Sequence, residues 1–88
     1  MKNRTKLILV KLGEESGELT QIAMKTLQYG LESDDCGSPP KKNRKLLTEE
    51  AGDVLACIYR LVDLGALDWT EVYLRANEKR RKHKEQGR

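Results

Sequence analysis

Residues 5–29 read TKLILVKLGEESGELTQIAMKTLQY, a proline-free stretch rich in helix-favouring leucine, glutamate, lysine and glutamine. Steps of four and three residues select one face of the predicted helix: Ile8, Leu12, Glu15, Leu19 and Ile22. Apart from Glu15 these side chains are apolar, as the buried face of a helix with 3.6 residues per turn requires. The stretch therefore predicts an amphipathic helix, and Gly30 is suited to the position just after its end.

The rest of the chain predicts a linker and two more helices. Residues 31–42 concentrate aspartate, serine, glycine and the only two prolines, so we expect an irregular linker there. A second helix is predicted over 43–64. A third is predicted over 69–84, with Asp68 as its N-cap and Glu71 at the spacing of a capping box. No strand-like alternation appears, so the sequence predicts one all-α domain over 1–88, with a basic tail at 83–88.

The length and composition predict a small core. The chain has 88 residues, of which 38% are apolar and 35% charged, and it contains no phenylalanine. A folded chain of this size buries only about 60–65% of the surface that its unfolded form exposes. These values exclude a two-domain enzyme and a β-sandwich built on aromatic-rich strands. We expect self-association, as a homodimer or homotetramer, in which dimerisation completes a helical bundle with three main helices from each chain. A loose three-helix monomer is the alternative.

Hydropathy and cysteine content bear on the compartment. The longest apolar run, at residues 7–10, is far shorter than the ~20 residues of a membrane-spanning helix, and it is also short for a secretory signal. Cys36 and Cys57 lack CxxC spacing and are too few for a disulfide framework, so we expect both to be reduced. Cys57 is expected in the core. The sequence therefore predicts a cytoplasmic protein without a membrane partner.

Carboxylates occupy positions where the helical pattern requires apolar side chains. On the first helix, Glu15 interrupts the apolar face and Glu18 is its neighbour one turn later. The second helix repeats the i, i+3 spacing with Glu50 and Asp53, inside a face that otherwise comprises Leu46, Cys57, Leu61 and Leu64. Buried carboxylates that repel one another need a counter-charge, either Lys or Arg or a hard cation. The chain's only histidine, His83, lies in the basic tail, so oxygen ligands favour Mg²⁺ or Mn²⁺ over zinc or di-iron.

At these positions the chain resembles the MazG-like all-α nucleoside triphosphate pyrophosphohydrolases, over about residues 5 to 82. Residues 14–18 (EESGE) and 50–53 (EAGD) resemble the family's EExxE and ExxD motifs, and 77–79 (NEK) resemble its NxK element. The resemblance implies four Mg²⁺ ligands: Glu15, Glu18, Glu50 and Asp53. It also implies a site position for Glu14, whose role it leaves open, and contacts to substrate from Lys25, Asn77 and Lys79. We further expect Arg75, Arg80 or Lys82 to help Lys79 stabilise charge on the departing pyrophosphate.

The implied reaction is Mg²⁺-dependent cleavage of a nucleoside or deoxynucleoside triphosphate to the monophosphate and pyrophosphate. The chain departs from the family pattern in three ways. Arg80 stands where the family has an aromatic residue, Lys82 stands where it has an arginine, and the 31 residues between the two acidic motifs exceed the usual gap. An additional N-terminal helix with base-contacting aromatics, which many relatives carry, has no counterpart in these residues. These differences leave base specificity open.

Two other functions fit parts of the sequence. A phosphoribosyl-ATP pyrophosphatase would share the acidic helices, but Cys57-Ile58-Tyr59-Arg60 stands where an aromatic–His element is expected. A nucleic-acid-binding helical protein would use residues 75–88, which carry seven basic and two acidic residues, whereas 1–74 carry ten basic and twelve acidic. The predicted helices have no other comparable basic face, so nucleic acid is not the expected partner.

Overall fold

The computed structural model describes all residues, Met1–Arg88, and contains three helices and no strand. The helices are α1 (Asn3–Tyr29), α2 (Asn43–Asp63) and α3 (Trp69–Glu85). Each begins and ends within two residues of its predicted bounds. The prediction of an all-α fold is confirmed.

The helix ends follow the signals in the sequence. Gly30 and Gly65 have φ angles of 96° and 76°, in the left-handed region that favours glycine, and they stop α1 and α2 respectively. A carboxylate oxygen of Asp68 accepts a hydrogen bond of 3.0 Å from the backbone N–H of Glu71. Asp68 therefore caps α3 as predicted, by satisfying one of the N–H groups that a helix leaves unpaired at its start.

The linker between α1 and α2 is held by local hydrogen bonds. A side-chain oxygen of Asp35 accepts from the backbone N–H groups of Gly37 and Lys41, at 2.9 and 2.8 Å. Asn43, the first residue of α2, is fully buried, and its side-chain amide donates to the carbonyl of Gly30 at 3.0 Å. This contact joins the end of α1 to the start of α2, so the two helices run antiparallel.

The core lies between α1 and α2. Ile8, Cys57 and Leu61 form a buried cluster, against which Leu12 and Leu64 pack. Ile22 is buried towards the other end of α1. These residues belong to the two predicted apolar faces, so the helical periodicity correctly identified which sides of α1 and α2 meet. Both cysteines are free thiols, with Cys57 buried as expected and Cys36 exposed.

α3 adds no buried residue to this core. Its first residue, Trp69, pairs with Tyr59 of α2 at a ring-centroid distance of 5.3 Å, and α3 otherwise makes few contacts with the other helices. The chain is only 15 Å thick along its shortest axis. Its radius of gyration is 15.6 Å, whereas a compact domain of this length has about 12 Å.

Large apolar side chains remain on the surface of this thin layer. The exposed examples on α1 are Leu7, Val10, Met24 and Leu27. None of the three helices combines the length and the hydropathy that crossing a lipid bilayer demands.

Candidate metal centre

Three carboxylates from the two antiparallel helices converge at the middle of the α1–α2 interface. Glu15 of α1 and Glu50 and Asp53 of α2 each place one oxygen within 4.8 Å of the others. We call these three residues the carboxylate cluster. Glu15 and Glu50 come together because each replaces an apolar residue on the face by which its helix packs against the other. Asp53, predicted for the same face of α2, is exposed instead.

The burial of this cluster is uneven and leaves oxygens without partners. Glu15 is only 8% exposed, Glu50 is half-buried and Asp53 is exposed. Atom Oε1 of Glu15 lies 3.1 Å from Nζ of Lys11, whereas its Oε2 is buried and accepts no hydrogen bond. Oε2 of Glu50 is likewise buried and unpaired. Unpaired buried acceptors are costly, so these oxygens indicate a missing donor or cation.

The protonation behaviour of the cluster indicates excess negative charge. Burial, reinforced by the nearby Glu18 and Glu15 carboxylates, raises the pKa of Glu50 to about 7. The hydrogen bond from Lys11 instead holds the pKa of Glu15 below its usual range, and the same pair raises the pKa of Lys11. One lysine therefore compensates one carboxylate and leaves the other uncompensated. A bound cation would favour the ionised form of both.

Glu18 lies beside the cluster rather than within it. It is exposed and lines a groove of about 380 Å³ between α1 and α2, together with Glu50 and Lys25. The remaining lining residues are Gln21, Ile22 and Leu46. The structure thus brings Lys25, a predicted substrate contact, to the same groove as two of the predicted metal ligands.

A second cavity flanks the cluster towards the N-terminal end of α1. Its volume is about 280 Å³, and Glu15 and Asp53 share its lining with two cations, Lys11 and Arg60. The sequence reasoning assigned neither cation to the site. Lys11 lies four residues before Glu15 and Arg60 seven residues after Asp53, and both intervals return to the same face of a helix. Helical spacing from the motif carboxylates would have identified both.

Two neighbouring glutamates lie outside the cluster. Glu14 is exposed, with its carboxylate 3.8 Å from Nζ of Lys11. Glu49 pairs instead with Lys41 of the linker at 3.3 Å and is only partly exposed. Each precedes a cluster residue by one position, which turns its side chain by about 100° around the helix axis.

The predicted substrate contacts on α3 do not reach the cluster within one chain. Asn77 and Arg80 line a shallow surface depression of about 240 Å³ with Arg81 and Lys84, and no carboxylate lines it. Lys79 is exposed.

The donor set matches a hard divalent cation. All the converging ligand atoms are carboxylate oxygens, which Mg²⁺ and Mn²⁺ prefer, and Glu15 and Glu50 each have one buried carboxylate oxygen without a partner. The residues of the cluster therefore fit the metal that the family resemblance implies.

Comparisons with protein-family models, with curated protein sequences and with solved structures found no match. The resemblance to the MazG-like enzymes therefore depends on the motif residues and their spacing. Within one chain, the residues of the two acidic motifs lie together, and those of the NxK element lie apart from them on α3.

Proposed function

We propose that the chain is an Mg²⁺-dependent pyrophosphohydrolase of nucleoside or deoxynucleoside triphosphates. The observation that carries this proposal is the convergence of Glu15, Glu50 and Asp53 on a partly buried point where two carboxylate oxygens lack any partner. Burying a carboxylate oxygen without a partner is costly, so the buried oxygens of Glu15 and Glu50 support a bound cation. The motif resemblance adds the substrate class and the reaction.

In this proposal the protein residues hold the metal and orient the phosphates. Glu15, Glu50 and Asp53, with Glu18 at the edge of the groove, hold Mg²⁺. When bound, Mg²⁺ would neutralise phosphate charge and lower the pKa of a water molecule. Lys25 lies in the groove beside Glu18 and Glu50, where its ammonium group can contact the triphosphate. Water adds to the α-phosphorus and the α–β phosphoanhydride bond breaks, which yields the monophosphate and pyrophosphate.

A homodimer or homotetramer is part of the proposal. The thin shape of one chain and its exposed apolar side chains on α1 support a second copy covering that surface. Asn77, Lys79 and Arg80 lie away from the carboxylates of their own chain, so in the proposed assembly they serve the site of a neighbouring copy. Assembly then completes the site as well as the core.

Product analysis tests the enzyme claim. The purified chain is incubated with a panel of NTPs and dNTPs, with Mg²⁺ or with a chelator, and the products are separated by ion exchange. We expect monophosphate and pyrophosphate from at least one substrate, only with the metal. Failure of every substrate to yield these products would contradict the proposal.

A matched pair of variants assigns the activity to the cluster. Losing even an indirect metal contact costs about 10–100-fold, so Asp53→Asn should lower the rate by about 100-fold or more. Asp63→Asn removes the same charge from the exposed end of α2 and should leave the rate unchanged. Equal rates for the two variants would remove Asp53 from the site.

A second candidate function, nucleic-acid binding, is favoured by one observation. Asn77, Arg80, Arg81 and Lys84 form an exposed face of α3 whose depression contains no carboxylate. Phosphate binding by such a face would weaken steeply with salt and would not need the cluster. A mobility shift of DNA or RNA that survives Glu50→Gln and has a steep salt dependence would support this candidate over the hydrolase.

A further inference from the structure

We propose that Lys11 and Arg60 bind substrate phosphate on the N-terminal side of the carboxylate cluster, and that Lys11 exchanges Glu15 for this phosphate when the cluster holds a metal. The inference deepens the proposed function and rests on it. It assigns roles to two residues that the motifs do not include, and it places the phosphate in the cavity of about 280 Å³ that both residues line.

The position of Lys11 suits an exchange of partners. Its Nζ lies 3.1 Å from Oε1 of Glu15 and 3.8 Å from Oε2 of Glu14, and its side chain is 58% exposed. The ammonium group of Lys11 can therefore leave Glu15 for another anion without being buried, whereas Glu15, whose side chain is only 10% exposed, then needs another cation. In the absence of metal, Lys11 is thus the only cation paired with the cluster.

Arg60 faces the same cavity from the other helix. It follows Asp53 by two helical turns and, unlike Arg44 and Arg75, forms no ion pair within the chain. A guanidinium group offers planar, paired donors that match phosphate oxygens, and it stays charged at all physiological pH values. Lys11 and Arg60 therefore contribute two cations to the lining of one cavity, which also includes Glu15 and Asp53.

An independent observation indicates that this arrangement holds a ligand. The side chain of Glu15 is nine-tenths buried, yet its Oε2 has no partner although Lys11 pairs with Oε1. The lysine alone leaves the carboxylate incompletely satisfied. A divalent cation among the carboxylates supplies the missing charge, and a phosphate between that cation and the two basic side chains balances the whole group.

The first test measures binding of Mn²⁺ alone. Lys11→Met removes a cation that competes with the metal for Glu15, so Mn²⁺ should bind about threefold to tenfold more tightly than to the unaltered chain. Lys6→Met is the matched control: it removes the same charge from α1 at an exposed position without an ion pair, and should change the affinity little. Equal affinities for the two variants would overturn the exchange.

The second test measures binding of inorganic tripolyphosphate at saturating Mg²⁺, which avoids the unknown base. Lys11→Met and Arg60→Met should each weaken binding by about tenfold, the value of one charge-assisted hydrogen bond. Lys6→Met and Lys45→Met, which remove exposed charges from α1 and α2, should not. Affinities equal to those of the controls would overturn the phosphate assignment.

These outcomes separate the inference from the proposed function. If the unaltered chain does not bind Mn²⁺, the proposed metal site is wrong, and the inference that depends on it is wrong too. If the unaltered chain binds Mn²⁺ and hydrolyses a triphosphate while the Lys11 and Arg60 variants behave like their controls, only the inference is wrong. Because Lys11 and Arg60 are both exposed, the Lys11→Met and Arg60→Met variants should have the same helical circular dichroism as the unaltered chain.

Discussion

The α1–α2 pair and α3 are stabilised in different ways. The pair contains every buried residue of the chain, including Glu15 and Asn43, whereas α3 contains none. α3 is supported by local features, namely the Asp68 cap and ion pairs from Arg75 and Lys82 to Glu78. The difference indicates that packing stabilises α1 and α2 and that α3 is stabilised mainly within itself.

The pKa values of Glu50, in the pair, and Glu78, in α3, are shifted in opposite directions. Burial and neighbouring carboxylates raise the pKa of Glu50, in the pair, to about 7. Lys82 and Arg75 lower the pKa of Glu78, in α3. Glu50 thus lacks a positive partner, whereas α3 carries six basic and three acidic residues. This complementarity supports the proposal that α3 of one copy serves the carboxylates of another.

The largest expected effect comes from the core of the pair. Leu61 is 1% exposed, and Leu61→Ala should lower the free energy of unfolding by about 2–5 kcal/mol, which removes most of the stability of so small a domain. Leu74→Ala in α3, at a position 59% exposed, should change it by only about 0.5 kcal/mol. Urea denaturation measures the free energy of unfolding of both variants. A larger loss for Leu74→Ala would mean that α3 is packed in solution.

A smaller effect is expected at the start of α3. Asp68→Ala removes the side chain that accepts from the N–H of Glu71, so the first turn of α3 should lose about 1 kcal/mol. Hydrogen exchange should become faster in α3 and remain unchanged in α1 and α2, because few contacts connect them. Faster exchange throughout the chain would contradict the independence of the two regions.

The smallest expected effect is a dependence on pH in the absence of metal. Because the pKa of Glu50 is raised from 4.5 to about 7 in the folded chain, the native state retains a proton that the unfolded chain has released. Stability should therefore fall as pH rises between these values and then level off. Thermal melts in a chelator, from about pH 5 to about pH 7.5, measure this fall.

Two variants test whether Glu50 causes this loss of stability with rising pH. Glu50→Gln should abolish the contribution of Glu50. Glu78→Gln should leave the fall intact, since the lowered pKa of Glu78 affects stability only as pH drops below its usual value of 4.5. Saturating Mg²⁺ should flatten the profile of the unaltered chain. A profile that keeps its slope in Glu50→Gln would assign the effect to another group.

The fold was largely predictable because its signals are local. Gly30, the linker prolines, Gly65 and Asp68 determine where helices end and begin, and the 3.6-residue period identified the buried face of each helix. The burial of Asn43 was not predictable, because its amide bonds to the carbonyl of Gly30, thirteen residues away. The sparse packing of α3 against the other helices was not predictable from local sequence either, because it depends on the tertiary arrangement.

The site was predictable in part for the same reason. Glu15 and Glu50 interrupt apolar faces, so their positions near the interface follow from periodicity alone. Helical spacing places Lys11 and Arg60 on the same helix faces as the motif carboxylates, but only the approach of the two helices brings them to one cavity. Whether Asn77, Lys79 and Arg80 reach a carboxylate cluster depends on a second copy, and a single sequence does not specify that geometry.

Binding of Mn²⁺ to the metal-free chain tests the central claim, that the carboxylate cluster is a cation site, most directly. Glu50→Gln removes a cluster carboxylate, and Glu49→Gln removes its neighbour, which pairs with Lys41 outside the cluster. We predict saturable binding to the unaltered chain and to Glu49→Gln, and a loss of about 100-fold or more in Glu50→Gln. Absence of saturable binding to the unaltered chain, or equal affinities for the two variants, would contradict the claim.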